Sequence, residues 1–125
     1  MGSLRIRRID AAIKEVLAGE LAKGLKDPRI GFVTVTEVRT SPDIRTARVY
    51  VSAVEPDGSE PGPDRQAQLL AGLASAQGYL QRRLAGELRI KRTPRLTFVY
   101  DETPMVAARL SRLLADPSRQ QGTGS

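Results

Sequence analysis

Apolar and polar residues follow two different periods along this chain, and each change of period marks a change of secondary structure. In residues 4–25 the apolar side chains recur at steps of three and four, which predicts an amphipathic helix. Gly24 and Pro28 are expected near its end. The apolar positions of this helix are Ile6, Ile9, Ile13, Val16, Leu17 and Leu21.

Two β-branched segments predict a hairpin. Residues 32–39 and 44–54 have the composition of strands, and the turn Thr40-Ser41-Pro42-Asp43 separates them. A turn this short joins antiparallel strands. In the second strand one face carries Ala47, Val49, Val51 and Ala53, and the other carries Thr46, Arg48, Tyr50 and Ser52.

The next segment, residues 55–63, reads EPDGSEPGP and has little that could be buried. Its three prolines and two glycines predict a flexible loop. Because the loop also carries acids, it is unsuited to contact a polyanion.

A second helix begins near Pro63 or Asp64, and its apolar stripe consists of Leu69, Leu73, Ala76, Leu80 and Leu84. At about 100° per residue, Gly78 falls opposite this stripe, on the same side as Arg82. A glycine inside a helix costs about 1 kcal/mol relative to alanine. It therefore indicates a bend or close approach of another backbone, the alternative being a tolerated surface glycine.

Regular alternation returns after residue 88. One face carries Leu88, Ile90, Leu96, Phe98 and Tyr100. Pro94 interrupts this run, so the strand is either an edge strand or begins at Arg95 after an irregular lead-in. Thr103-Pro104 predicts the start of a short amphipathic helix that Asp116-Pro117 ends.

Together these elements predict an α+β fold. We expect one domain over residues 4–116, with a three-stranded sheet and helices on one face, and a disordered tail over 117–125. A KH module would be one domain with this helix–strand–strand–broken helix–strand order. KH modules usually hold nucleic-acid backbone with a GxxG loop between two helices. The sequence has no GxxG, and Ala76-Gln77-Gly78 stands where that loop would be.

The charge is concentrated near this broken helix. The chain has a net charge of +6, and the segment between Tyr79 and Arg95 holds six basic residues and one acid. A basic protein with a pI near 10.3 favours nucleic acid or an anionic membrane as its partner. Arginine accounts for 16 of the 20 basic residues and suits bidentate phosphate contacts, the alternative being a genome-wide bias towards arginine codons.

Several absences narrow the chemistry. The chain has no cysteine and no histidine, so thiol nucleophiles, disulfides and the commonest acid–base group are excluded. Asp27 and Asp101 lie at element ends, where turn or capping roles predominate. No apolar run approaches the roughly 20 residues of a membrane span, and the first residues lack the apolar core of a signal peptide. We predict a soluble, cytoplasmic, monomeric protein that is not an enzyme, with no cofactor, no metal and no membrane partner.

The candidate RNA-binding residues lie on the broken helix and the strand after it. They are Ala76, Gly78, Arg82, Arg83, Arg89, Lys91, Arg92 and Arg95. Arg5, Arg7 and Arg8, in the first turn of the first helix, are predicted auxiliary phosphate contacts, the alternative being a solvated surface turn.

The chain resembles the ribosome-binding factor A family from about Arg5 to Leu114. Four segments carry the resemblance, and their order and spacing make it specific: residues 26–31 (KDPRIG), 47–51 (ARVYV), 76–80 (AQGYL) and 94–101 (PRLTFVYD). The resemblance implies a type II KH-like fold in which an interhelical Ala-x-Gly kink replaces the GxxG loop.

The resemblance also implies a bacterial assembly factor without catalytic activity. Such a factor binds the free small (30S) ribosomal subunit and assists late maturation and 16S rRNA processing, in contact with the region of the rRNA's 5′-terminal helix. From the residues alone, two alternatives stay open: a general KH-like RNA-binding regulator, and a protein–protein adaptor with an acidic partner.

Overall fold

The computed structural model describes residues 3–25 and 28–115, and these form four helices and three strands. The elements are α1 (Leu4–Ala22), β1 (Val33–Thr40), β2 (Thr46–Ala53), α2 (Pro63–Ser75), α3 (Gln77–Glu87), β3 (Arg95–Tyr100) and α4 (Thr103–Ala115). The predicted α+β order, with its kinked helix and short C-terminal helix, is confirmed. The tail predicted over 117–125 lies outside the described residues.

The three strands form one sheet in the order β1-β2-β3. β1 and β2 are antiparallel, as the hairpin prediction requires, and β3 runs parallel to β2 along the opposite edge. A parallel neighbour needs a crossover connection, and α2 and α3 supply it. β3 begins at Arg95 after irregular residues, as Pro94 predicted.

A bulge in β1 sets which of its side chains face the helices. The register shifts between Val35 and Glu37, so Val35 pairs with Val51 while Val38 pairs with Val49. Strict alternation would place Val35 and Val38 on opposite faces of the sheet. The extra residue puts both valines in the core and turns Glu37 outward.

The helices α1, α2 and α3 cover one face of the sheet, as predicted, and their apolar stripes form the core with it. α1 packs against β1 and α3, and α2 packs against β3. The core includes Ile9, Ile13, Leu17 and Leu21 of α1, Leu69 and Leu73 of α2, and Leu80 and Leu84 of α3. Burial of each such side chain contributes about 1.5–3 kcal/mol to stability.

The second helix is interrupted at Ala76. The N–H of Ala76 points at the carbonyls of both Gly72 and Leu73, at 3.1 Å each, and the residue ends α2 and caps α3. Gly78 is the second residue of α3. The bend therefore belongs to Ala76, and Gly78 lies just beyond it.

A buried carboxylate joins α3 to α1. The Glu20 side chain on α1 is 5% exposed and accepts a 2.6 Å hydrogen bond from the Tyr79 hydroxyl on α3. Lys23 and Arg83 lie 3.2 and 3.3 Å from the same carboxylate. The Tyr79 hydrogen bond, then the charges of Lys23 and Arg83, lower the pKa of Glu20. The same hydrogen bond raises the pKa of Tyr79.

Two glutamines join the other flank of α3 to the edge strand. Gln77 donates to the carbonyl of Leu96 at 2.7 Å, and Gln81 donates to the carbonyl of Pro94 at 2.6 Å. Gln81 also accepts from the Leu96 N–H at 3.4 Å. These contacts occupy backbone groups on an edge that would otherwise be open to another strand.

Gly31 fits the connection from α1 to β1 beneath a side chain of α2. Its φ is +57°, and a Cβ there would lie 3.0 Å from Nη2 of Arg65. Arg65 donates to the carbonyl of Arg29, and Arg29 donates to the Ser75 hydroxyl at 3.2 Å. Left-handed backbone and close approach together require glycine here.

The acidic loop of residues 55–63 forms a hydrogen-bonded turn. The Glu55 N–H donates to Ser59 at 2.9 Å, and the Gly58 N–H donates back to Glu55 at 2.8 Å. Glu55 lies 3.2 Å from Arg65 of α2, and Glu60 pairs with Arg109 of α4. The acids of the loop thus neutralise nearby arginines of the fold.

The apolar residues of α4 stay largely exposed. The side chains of Val106, Leu110, Leu113 and Leu114 are all classed with the exposed large hydrophobics. The predicted amphipathic helix is present, and its apolar stripe contributes no member to the core cluster.

We expect Gly31→Ala to destabilise the protein by about 1–2 kcal/mol, because alanine must adopt the left-handed conformation. The matched control is Gly19→Ala, on an exposed face of α1 where a Cβ meets nothing within 4 Å. That variant should gain up to about 1 kcal/mol from helix propensity. Chemical denaturation measures the free energy of unfolding of both variants. Equal effects of the two substitutions would contradict the requirement for glycine at position 31.

We expect Glu20→Gln to lower the free energy of unfolding at neutral pH and to make that free energy less dependent on pH. Because the folded pKa of Glu20 is depressed, its contribution is complete above the ordinary value of 4.5 and is lost as pH falls through the folded pKa. The difference in free energy of unfolding between wild type and variant should therefore become smaller below about pH 4.5. Urea denaturation from pH 3 to 7 tests this. Glu15→Gln, at an exposed position of α1, is the control, and a gap that is constant with pH would refute the role of Glu20.

Candidate nucleic-acid interface

The outward face of α3 presents Gly78 and Arg82 one turn apart. Both residues are exposed, and a Cβ built on Gly78 would meet only Nη1 of Arg82, at an ordinary 3.6 Å. The fold therefore leaves open space over the Gly78 backbone. The face lies opposite Leu80 and Leu84, as the helical geometry of the sequence predicted.

Arg83 lies one residue further on, and acids surround it. Its Nε is 3.3 Å from Glu20, and Nη2 is 4.0 Å from Glu87. Its side chain is 44% exposed, so one edge of the guanidinium reaches solvent. Of the two helical arginines, Arg82 is the better placed for a phosphate.

The remaining predicted cations of the cluster lie outside α3. Arg89, Lys91 and Arg92 are exposed in the irregular connection of residues 88–94. Arg95 begins β3 and alternates with buried Leu96, so it projects from the sheet face that carries no helix. The sequence cluster is therefore divided between a helix, a loop and the far side of the sheet.

A basic cleft brings part of this cluster together with α1. It is an open cavity of about 480 Å³, and its lining includes Arg5, Arg45, Lys91 and Arg92. Arg5 is thus the predicted auxiliary residue that meets the cluster. Arg7 and Arg8 are exposed along the same turn, which carries no acid.

A second cavity lies along the interruption at Ala76. Its volume is about 590 Å³, and Gly24, Pro28, Gly72, Ala76 and Tyr79 are among its lining residues. Ala76 is half-buried against the core and forms the floor of this cavity. The Tyr79 ring is 44% exposed, while its hydroxyl is held by Glu20.

The helix-free face of the sheet holds arginines that were not among the predicted contacts. Arg39 and Arg48 are paired across β1 and β2, and both are exposed. The Arg39 guanidinium lies over the Tyr50 ring, 5.7 Å from its centroid, and is 2.9 Å from Glu37. Alternation along β2 already placed Arg48 and Tyr50 on a common face, and this pattern was the signal available in the sequence.

Within the described part of the chain, no group of three or more acidic, cysteine or histidine side chains could hold a metal ion. No helix in that part is long and apolar enough to cross a bilayer.

Comparison with known proteins assigns the chain to a family. The ribosome-binding factor A family model matches residues 5–114. A relative of that name from Geobacter sulfurreducens is 37% identical over 119 residues, which cover 95% of this chain and 96% of the relative.

Two known structures are similar along most of the chain. The solution structure of a Thermotoga maritima protein described as a putative ribosome binding factor A has a TM-score of 0.66 and 28% identity, and the match covers 82% of this chain and 92% of that one. A homology model of the Thermus thermophilus ribosome binding factor A, fitted into the cryo-EM map of a 30S complex, has a TM-score of 0.58 and 34% identity, with coverage of 74% and 90%. With its fold, its Ala-x-Gly helix break and its sequence all in agreement, the chain belongs to the ribosome-binding factor A family.

Proposed function

We propose that this chain is a cytoplasmic assembly factor that binds the free small (30S) ribosomal subunit. In this proposal it assists late maturation and 16S rRNA processing, in contact with the rRNA near its 5′-terminal helix. Family membership supports the class of function, and the Thermus thermophilus relative was fitted into the map of a 30S complex. The proposed activity is binding rather than catalysis.

The outward face of α3 is the observation that carries the proposed contact. A strand of RNA backbone can approach Gly78 closely because the residue is exposed and has no side chain of its own, and Arg82 stands one turn away to meet a phosphate. The N-terminal end of α3 adds backbone N–H groups and the positive end of its dipole. In this proposal the Ala76-Gln77-Gly78 segment takes the place of the GxxG loop with which KH modules hold nucleic-acid backbone.

The proposed interface selects RNA by shape. Phosphate contacts give affinity and strong salt dependence but carry little sequence information. Aromatic residues are 4% of the chain, and Tyr79 is the aromatic beside the helix break. Stacking on base faces is therefore a minor part of the proposed recognition, and the fold of the rRNA supplies the specificity.

We expect the protein to co-sediment with purified free small subunits and not with complete ribosomes. The association should weaken steeply as salt is raised, because each phosphate contact releases counterions. Sucrose-gradient sedimentation at low and high salt measures it. Equal competition by total unrelated RNA would instead indicate a general RNA-binding regulator, and resistance of the complex to ribonuclease would indicate a protein adaptor.

We expect Gly78→Ala to weaken binding to small subunits at least fivefold without loss of stability. A methyl group forced into a packed contact costs about 1–3 kcal/mol, whereas alanine in an exposed helix gains up to about 1 kcal/mol. The matched control is Gly86→Ala, on the same helix, where a Cβ meets nothing within 4 Å. Filter binding and thermal melting test both variants, and equal affinities for the two would remove Gly78 from the interface.

A further inference from the structure

The basic cleft lies at the opposite end of the α1–α3 pair from Gly78. The two helices run antiparallel, since Glu20 near the end of α1 contacts Tyr79 near the start of α3. Arg5, at the other end of α1, lines the cleft with Lys91 and Arg92. At 1.5 Å per residue, α1 separates Arg5 from Glu20 by about 22 Å. The cleft is therefore a separate site.

The side chain that completes this cleft comes from the hairpin turn. Arg45 directly precedes β2, at the end of the turn between β1 and β2, and lines the cavity together with Arg5 of α1. Its side chain is 71% exposed, and its backbone carbonyl accepts the Arg95 N–H at 2.9 Å. Arg45 is thus anchored to the start of β3 while its guanidinium reaches solvent.

Asp43 is the acid in the cleft, and the turn already uses its carboxylate. Oδ1 accepts the Ser41 hydroxyl at 2.6 Å and the Arg45 N–H at 3.0 Å. Both hydrogen bonds lower the pKa of Asp43, so it stays charged and in place. Its approach to the Arg45 guanidinium is long, at 3.9 Å from Oδ2 to Nε. Four cations face one acid here, and an excess of positive charge results.

The turn is held in an uncommon conformation. Ile44 has a φ of 59°, a region that β-branched residues rarely adopt. Its N–H donates to the Ser41 carbonyl at 2.9 Å, and its side chain packs against the core. The Ser41 N–H in turn donates to Thr46 at 2.8 Å. A rigid turn loses little freedom on binding, which favours a preorganised site.

We infer that this cleft is a second phosphate-binding site for RNA backbone, with Arg45 as a contact on the hairpin wall and Arg5, Lys91 and Arg92 on the other walls. The inference rests on the proposed function, because the RNA that fills the cleft is taken to be part of the small subunit. It adds a contact that is independent of the helix break and lies on a different face of the protein.

Arg45→Gln tests the cleft, and Arg48→Gln on β2, three residues further along the chain, is the control with the same change of charge. The first probe is a fluorescent 15-residue oligouridylate, whose anisotropy is measured at several salt concentrations. Arg45→Gln should weaken binding roughly tenfold and reduce the salt slope by about 0.7, the value for one single-strand phosphate contact. Arg48→Gln should change both quantities much less.

The second probe is the purified free small subunit, which separates the two proposals. If the wild type binds oligouridylate through Arg45 but does not bind the subunit, the proposed function fails and the cleft stands. If the wild type binds the subunit and neither probe responds to Arg45→Gln, the cleft fails alone. Equal losses of affinity in Arg45→Gln and Arg48→Gln would show that the effect depends only on net charge and would overturn the inference.

A comparison with inorganic phosphate tests the nature of the ligand. If inorganic phosphate saturates the change in the Arg45 amide chemical shift at a lower concentration than the oligouridylate, the site takes a free anion and the inference is overturned.

The double variant Lys91→Gln and Arg92→Gln removes two other cations of the cleft and should also weaken oligouridylate binding. It covers the case in which Arg45→Gln fails to fold, and unchanged binding by this double variant would also overturn the inference.

Discussion

The position of α3 depends on polar contacts on both of its flanks, and the rest of the site depends on the position of α3. Its core face carries two buried leucines, and leucines alone would allow the helix to rotate or slide. The flanking contacts remove this freedom: Tyr79 and Arg83 bind Glu20 of α1, and Gln77 and Gln81 bind backbone groups next to and within β3. Three sides of the helix are thereby occupied, and Gly78 and Arg82 lie on the side that remains exposed. The orientation of the proposed interface thus follows from interactions that do not belong to it.

The same contacts explain why neighbouring residues of the Ala76–Tyr79 segment have different roles. Ala76 ends one helix and begins the next, Gln77 holds the edge strand, and Tyr79 holds α1. The fold does not require glycine at position 78, since alanine fits there without a clash and has a higher helix propensity. A glycine that is unfavourable for the helix and unnecessary for packing is best explained by something that approaches from outside.

The sequence predicted the elements, the core stripes and the KH-like order, because each follows from local periodicity. It predicted that the third strand is either an edge strand or begins at Arg95, and both hold for β3. It also placed Gly78 opposite the leucines, and Gly78 is exposed while Leu80 and Leu84 are buried. It could not show that Glu20 would be buried or that Arg83 would be paired with it, because those contacts join helices about 60 residues apart in the chain. For the same reason, six cations that lie within 14 residues of one another in the sequence, from Arg82 to Arg95, appeared as one cluster, although a helix, a loop and a strand carry them apart. Arg45 has no periodic signal, since it stands in a turn whose geometry depends on the unusual backbone of Ile44.

This division of charge has a consequence for recognition. A single compact patch of arginines would bind any polyanion that brought several phosphates together, and its affinity would follow net charge alone. The two proposed sites lie near opposite ends of α1, whose length between Arg5 and Glu20 is about 22 Å, and this spacing imposes a further condition. An RNA fills both at once only if its folded backbone presents phosphates at that distance and on the appropriate faces, and binding at the second site then proceeds at high effective concentration. A flexible single strand must lose conformational freedom to meet this condition, whereas a folded rRNA element already has it. Rigid spacing of weak phosphate contacts is therefore a means by which a small, aromatic-poor protein can distinguish one folded RNA from many unfolded ones.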